Sequence, residues 1–212
     1  MHKEGDALLI QQPVYYPFRE VIEDNGRIFV NNQLHYEDGK YTIDFEDFEK
    51  KIVDNNVKVF ILCNPHNPVG RVWTKEELEK MGDICLKHNV VIMDDEIHCD
   101  FTYPGFKFTS FMTLDEKYHN SLVLYTSPSK TFNVAGLQPA NIIIKNPELR
   151  AAYRKANAAA GYSQGSIMGQ VAVKSVYTKG DEWVNELVEY ITGNMNYMRD
   201  FVKENFPKAH FV

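Results

Sequence analysis

Cysteine is scarce in this 212-residue chain, which holds only Cys63, Cys85 and Cys99. An odd, sparse set with no paired spacing excludes a disulfide framework and suits a reducing compartment. Positive charge is also in deficit. With 23 Lys and Arg against 29 Asp and Glu, the formal net charge is -6, so no broad positive field is available to phosphate backbones and nucleic acid is not an expected partner. No apolar run reaches the roughly 20 residues that a bilayer span needs. The stretch Met1 to Asp6 has no apolar signal core, so a soluble, cytoplasmic protein is expected. Repeats, low-complexity tracts and flexible linkers are missing too. His66, His98 and Cys99 make a poor tetrahedral metal template, because adjacent ligands lack a second spaced pair. No metal site is expected.

What is present is an alternation of short apolar runs and amphipathic stretches. Ala7–Ile10, Arg27–Val30, Val57–Leu62, Val90–Met93, Leu122–Tyr125 and Asn141–Ile144 read as strands. A helix is predicted from about Pro17 to Asp24, closed by Asn25-Gly26. Asp44 is placed to cap a helix carrying Phe45, Phe48 and Ile52. Thr74 and Glu77 form a capping box ahead of a helix with Leu78, Met81 and Cys85 inward. Near-continuous apolar strands separated by helices predict an α/β fold, a mostly parallel sheet covered on both faces. After Asn146-Pro147 the pattern turns helical: Glu148 to Ala160, a break over Gly161 to Gly165, Ser166 to Thr178, then Asp181 to Asn205. Trp183, Leu187, Tyr190, Ile191, Met198 and Val202 supply the apolar face of that last, long helix.

Chemistry gathers where the apolar runs stop. Cys63-Asn-Pro-His-Asn-Pro-Val-Gly-Arg71, Met93-Asp-Asp-Glu-Ile-His-Cys-Asp-Phe101 and Ser127-Pro-Ser-Lys-Thr-Phe-Asn-Val-Ala-Gly-Leu137 each follow a strand-like run. Open α/β sheets build ligand sites at such strand ends. Lys130, in a small-residue turn, is placed to reach an aldehyde. An unperturbed lysine titrates near 10.4, so catalysis at neutral pH needs desolvation or a neighbouring cation. Cys63 and Cys99 flank this region, and small buried hydrophobes are their expected role.

Together with Gln12-Pro-Val-Tyr-Tyr-Pro-Phe18, the motifs Asn64-Pro-His-Asn-Pro-Val-Gly-Arg71, Asp95-Glu-Ile-His98 and Ser129-Lys-Thr-Phe-Asn-Val-Ala-Gly-Leu-Gln138 stand in the order and at roughly the spacings of one family. The chain resembles a fold-type-I, pyridoxal-phosphate-dependent enzyme of the class I/II aminotransferase superfamily, and within it the bacterial cystathionine β-lyase, or carbon-sulfur lyase, branch. The resemblance implies a three-layer α/β/α large domain over residues 1–180, followed by a long interdomain helix over 181–212. It also implies that the first strand and phosphate loop, and the small C-terminal domain with its substrate-clamping arginine, lie outside the sequence.

By the same resemblance, Lys130 is the Schiff-base lysine and proton shuttle, and Asp95 the carboxylate that keeps the pyridine nitrogen protonated. Neighbouring side chains on a strand face opposite ways, so only one of Asp94 and Asp95 can face the ring. Asn67 matches the asparagine bonded to the ring oxygen, and His98 stands where many aminotransferases carry tyrosine, a mark of the lyase-like branch. Tyr15 matches the stacking aromatic, with Tyr16 facing away. Ser127 and Ser129 are phosphate donors, Ser127 the better positional match. Gln138 occupies the place of a phosphate-gripping arginine eight residues after the lysine. The implied cofactor is pyridoxal 5'-phosphate, the implied substrate a small amino acid, the implied assembly a homodimer. The implied reaction is β-elimination from cystathionine-like or cysteine-conjugate substrates; transamination, and a truncated relic or interaction module without activity, are the alternatives.

Overall fold

The computed structural model describes residues 3–162 and 165–209. Its framework is a six-stranded sheet in the order β2-β1-β5-β6-β7-β8. These strands are β1 (Ala7–Ile10), β2 (Ile28–Asn31), β5 (Val59–Cys63), β6 (Val91–Asp95), β7 (Leu122–Thr126) and β8 (Asn141–Ile143). All neighbours run parallel except β7 and β8, which pair antiparallel through Leu124 and Ile143, Tyr125 and Ile142, and Thr126 and Asn141. The expected α/β class and mostly parallel sheet are therefore present. β6 runs two residues past the apolar stretch, through both aspartates, because Asp94 and Asp95 pair in register with Leu62 and Cys63 on one side and Leu124 and Tyr125 on the other.

Alternation along the strands sorts their side chains into two apolar clusters. Leu9, Phe60, Leu62, Ile92 and Leu122 meet Phe48 and Ile52 of α2 (Phe45–Asp54) and Leu78, Met81 and Cys85 of α3 (Lys75–Lys87). Leu8, Ile10, Val59 and Cys63 meet Ile22 of α1 (Pro17–Asp24) on the opposite face. Each fully buried side chain of this size contributes roughly 1.5–3 kcal/mol. Both helix starts carry the caps expected of them. Asp44 accepts from the Asp47 amide, and Thr74 and Glu77 complete a reciprocal box. Glu77 also takes two hydrogen bonds from Arg71, at 2.8 and 2.9 Å, which ties the loop after β5 to the start of α3.

A two-stranded antiparallel hairpin, β3 (His35–Glu37) with β4 (Lys40–Thr42), was not expected. Its turn is Asp38-Gly39, with φ of 49° and 78°, the positive pair that a two-residue hairpin turn demands.

The C-terminal helices α4 (Pro147–Ala159), α5 (Ile167–Lys179) and α6 (Asp181–Asn205) lie close to the expected bounds. Residues 163 and 164 of the expected break, and 210–212 of the expected terminal segment, fall outside the described residues. The apolar face expected of α6 is uncovered. No residue of α6 is buried, and Trp183, Tyr190 and Met198 are more than half exposed. An amphipathic pattern defines a face without supplying what covers it.

Candidate functional site

The parallel strands β1, β5, β6 and β7 release their carboxyl ends on one edge of the sheet. Cys63 pairs with Asp95, and Asp95 with Tyr125, so the loops carrying Asn67, His98 and Lys130 leave from strand ends level with one another. Tyr15 follows β1 at the same edge.

Lys130 sits in the turn after β7, and its side chain is exposed. Its positive charge acts on two of the other expected site residues. At Asp95 burial pushes the carboxyl pKa up, while the Ile97 amide, 3.1 Å from Oδ1, and the Lys130 charge pull it back down. At His98 burial lowers the imidazole pKa and the Lys130 charge lowers it further. Amine, carboxylate and neutral imidazole therefore share one electrostatic neighbourhood.

Asp94 has the opposite setting. It is 0% exposed, with its carboxyl group beside the Glu96 carboxyl and the Asn64 side chain. Burial, then the charge of Glu96, hold its pKa well above the usual carboxylate range. Glu96 is buried as well and accepts from the Phe111 amide at 2.9 Å.

Asn67 and His98 line one cavity of about 540 Å³, whose walls include Tyr41, Phe101, Tyr103 and Phe106. The Asn67 amide donates to Cys63 Sγ at 3.4 Å, and that thiol lies 3.3 Å from the Pro65 carbonyl. Burial pushes Cys63 and Cys99 up to about 12, so both stay thiols at neutral pH. Tyr15 is 41% exposed and edge-on to Phe18, while Tyr16 is more exposed still. Lys130, Asp95 and Tyr15 do not line the cavity holding Asn67 and His98.

The two serines differ in freedom. Ser127 Oγ lies 2.5 Å from the Pro139 carbonyl and 2.7 Å from Ser129 Oγ, and accepts from the Ser129 amide at 3.1 Å. A hydroxyl has one proton. Ser127 spends it on the carbonyl, so the Ser129 hydroxyl donates to Ser127. An incoming anion is met by turning Ser129, whereas Ser127 must first abandon Pro139. Gln138 is exposed, in the left-handed region at φ 52°. His66 borders the same cavity beside Asn67, but it is buried with Nε2 3.1 Å from the Gln11 carbonyl and 3.0 Å from that of Pro13. No group of three metal-ligating side chains occurs among the described residues.

Sequence reasoning passed over Asp100 and Thr131. The Thr131 hydroxyl donates to Asp100 Oδ2 at 2.7 Å, linking the turn after β6 to the turn after β7. The partners are 31 residues apart, and no local pattern signals such a bond.

Residues 1–209 match the family model described as aminotransferase class I and II. The chain is 43% identical over 208 residues to the cystathionine beta-lyase PatB of Bacillus subtilis, covering 98% of this chain and 54% of that protein. It is 32% identical over 211 residues to protein MalY of Escherichia coli, covering 98% and 53%. Among solved structures, cystalysin from Treponema denticola, containing pyridoxal 5'-phosphate, superposes with a TM-score of 0.95 at 40% identity over 97% of this chain and 52% of that one. The PLP-bound C-S lyase of Staphylococcus hominis gives 0.92 at 34% identity, over 100% and 53%. The chain spans about half the length of the curated relatives it matches.

Proposed function

The chain belongs to the class I and II aminotransferase family, and from that premise we propose that it is the cofactor-binding portion of a pyridoxal-phosphate-dependent carbon-sulfur β-lyase. Its substrates would be cystathionine-like or cysteine-conjugate amino acids. The observation that carries this reading is the placing of Lys130, in the turn after β7, beside the half-buried Asp95 carboxylate that ends the neighbouring strand and feels its charge. The names of the relatives support the choice of lyase.

The donor set fits the cofactor. Lys130 supplies an exposed amine for its aldehyde. Asp95 supplies a mostly desolvated carboxylate for the pyridine N–H. Asn67 and His98 supply polar groups on one cavity wall for the ring oxygen, Tyr15 an accessible ring for stacking, and Ser129 a hydroxyl for the phosphate. Ser127 holds Ser129 in place and reaches the phosphate itself only by releasing Pro139. When bound, the cofactor draws electron density from the substrate Cα.

The protein's share is positioning and proton transfer. Lys130 would hold the cofactor's aldehyde at rest and, with substrate bound, its free amine would take the Cα proton. The Cβ–S bond then breaks, the thiol leaves with the bonding electron pair, and the amino-acid remainder ends as pyruvate and ammonia after water adds. Asp95 must remain ionised to hold the pyridine proton, and the Ile97 amide and Lys130 oppose the effect of burial in that direction. His98 stays neutral at physiological pH because burial and Lys130 both lower it. In the transaminase alternative Lys130 would hand the Cα proton on, with no loss of a thiol, and a keto acid would be the product. His98 and Gln138 favour the lyase.

Residues 1–180 would form the cofactor-binding unit, with the long helix Asp181–Asn205 leading from it. The protein would act in the cytoplasm as a homodimer. The apolar side chains left open on α5 and α6 support an interface, and sedimentation would measure it.

Mixing the chain with pyridoxal 5'-phosphate should produce a visible band distinct from free cofactor, absent in Lys130→Ala. L-Cystathionine should then release thiol and pyruvate. Keto-acid formation without thiol would favour the aminotransferase. A band unaffected by Lys130→Ala would remove the assignment, and cofactor binding without turnover would point to the inactive relic.

A further inference from the structure

The turn carrying Lys130 is gripped from outside its own loop. Thr131, the next residue, is 2% exposed. Its hydroxyl donates to Asp100 Oδ2 at 2.7 Å, and its carbonyl accepts the indole N–H of Trp183 at 3.3 Å. One residue is thus held by side chain and backbone, from two directions. Asp100 lies in the short turn Cys99–Phe101 directly after His98, and its other oxygen is 3.7 Å from Cys99 Sγ. Trp183 stands in the first turn of α6. The next residue, Phe132, packs where Gly180 joins α5 to α6. A Cβ on Gly180 would lie 2.5 Å from Phe132 Cε1 and 2.4 Å from the Val176 carbonyl, so the junction is closed around that ring.

Lys130 itself is a long, exposed side chain. What fixes the origin of its reach is the backbone on either side. Before it, Ser127 accepts the Ser129 amide and Pro128 accepts the Phe132 amide. After it, the fixed points are Asp100 and Trp183 through Thr131. A displacement near 1 Å at a reacting atom can cost about 10²-fold in rate, so a hydrogen bond one residue away from the amine is well placed to matter.

We propose that Asp100 and Trp183 are positioning residues for Lys130, acting through Thr131. The turn that bears His98 and the long helix α6 then jointly set where the amine stands. This rests on the assignment of Lys130 to the cofactor, yet the positioning itself is testable without cofactor.

The experiment compares the chain with its Thr131→Val, Trp183→Phe and Thr131→Ser variants in two ways. Hydrogen exchange without cofactor reads the amides of residues 129–134. Loss of the visible band after removal of free pyridoxal 5'-phosphate reads retention. Thr131→Val and Trp183→Phe should each speed exchange in 129–134 by about 10-fold and shorten retention, with the remaining core unchanged. Thr131→Ser keeps the hydroxyl and should restore both. The proposal is overturned if exchange in 129–134 is unaltered, or if it rises only in step with the whole molecule, as for a merely structural contact. If no band depends on Lys130 in the parent chain, the cofactor assignment fails, and the exchange result still decides whether Asp100 and Trp183 hold the turn.

Discussion

Asp94 and Asp95 are consecutive on β6, but one is sealed in the core beside the Glu96 carboxyl, while the other feels the Lys130 charge. A carboxyl whose folded pKa is raised keeps its proton at pH values where the unfolded chain has lost its own. Stability is then greatest in acid and declines as pH rises above about 4 toward the folded value. Asp94→Asn should remove that decline. At pH 8 a gain on the order of 1 kcal/mol, or about 2–4 °C in Tm, is expected, shrinking toward pH 5. Equal changes at both pH values in thermal melts would show that Asp94 is ionised in the fold.

His66 works in the reverse direction. Burial lowers it from 6.5 to about 4, so its contribution is complete above pH 6.5 and is lost as pH falls through 4. The gap corresponds to about 3 kcal/mol, opposed over the same range by Asp94 and Glu96. His66→Gln should flatten the acid loss in urea unfolding series between pH 6.5 and 4. A variant that loses stability as steeply as the parent would place the titration elsewhere.

Ser127 and Ser129 should separate stability from cofactor affinity. Ser129→Ala is expected to weaken pyridoxal 5'-phosphate binding about 10-fold, close to 1.4 kcal/mol, with a small change in Tm. Ser127→Ala strips the Pro139 carbonyl of its donor and should cost about 1–3 kcal/mol of stability. Equilibrium dialysis beside thermal melts distinguishes them, and the opposite pattern would make Ser127 the phosphate ligand.

Gly82 is mid-helix in α3, where alanine normally gains up to about 1 kcal/mol. Here a Cβ would lie 2.6 Å from Tyr118 Cε1 and 3.0 Å from Phe111 Cζ. Gly82→Ala should therefore destabilise by about 1–3 kcal/mol, read as a lower urea midpoint. A stabilised variant would mean that the Tyr118 ring can withdraw.

Legibility followed the range of the forces. The bounds of α1 and α6, the Asp44 cap and the Thr74–Glu77 box rest on neighbours within a few residues, and they stand where the pattern put them. The β3–β4 hairpin was equally local, since Asp38-Gly39 is a strong turn signal, and was simply passed over. The antiparallel entry of β8 depends on how residues 127–140 fold back from β7, which no periodicity encodes. Lys130, Asp95, Asn67 and His98 stand out as candidates in the sequence because each ends or follows a strand. The Thr131 clasp was not, because its bonds join residues 31 and 52 positions apart.

The 25 residues of α6 make a rod about 37 Å long at 1.5 Å per residue, fastened near its first turn by the Trp183 indole. With no buried side chain along its length, the rod has the proportions of a lever whose fulcrum stands beside Lys130. A tilt of about 5° moves the far end by about 3 Å over that length and the Thr131 carbonyl by a small fraction of that. Any excursion at Asn205 would thus reach the amine geared down to a fine adjustment.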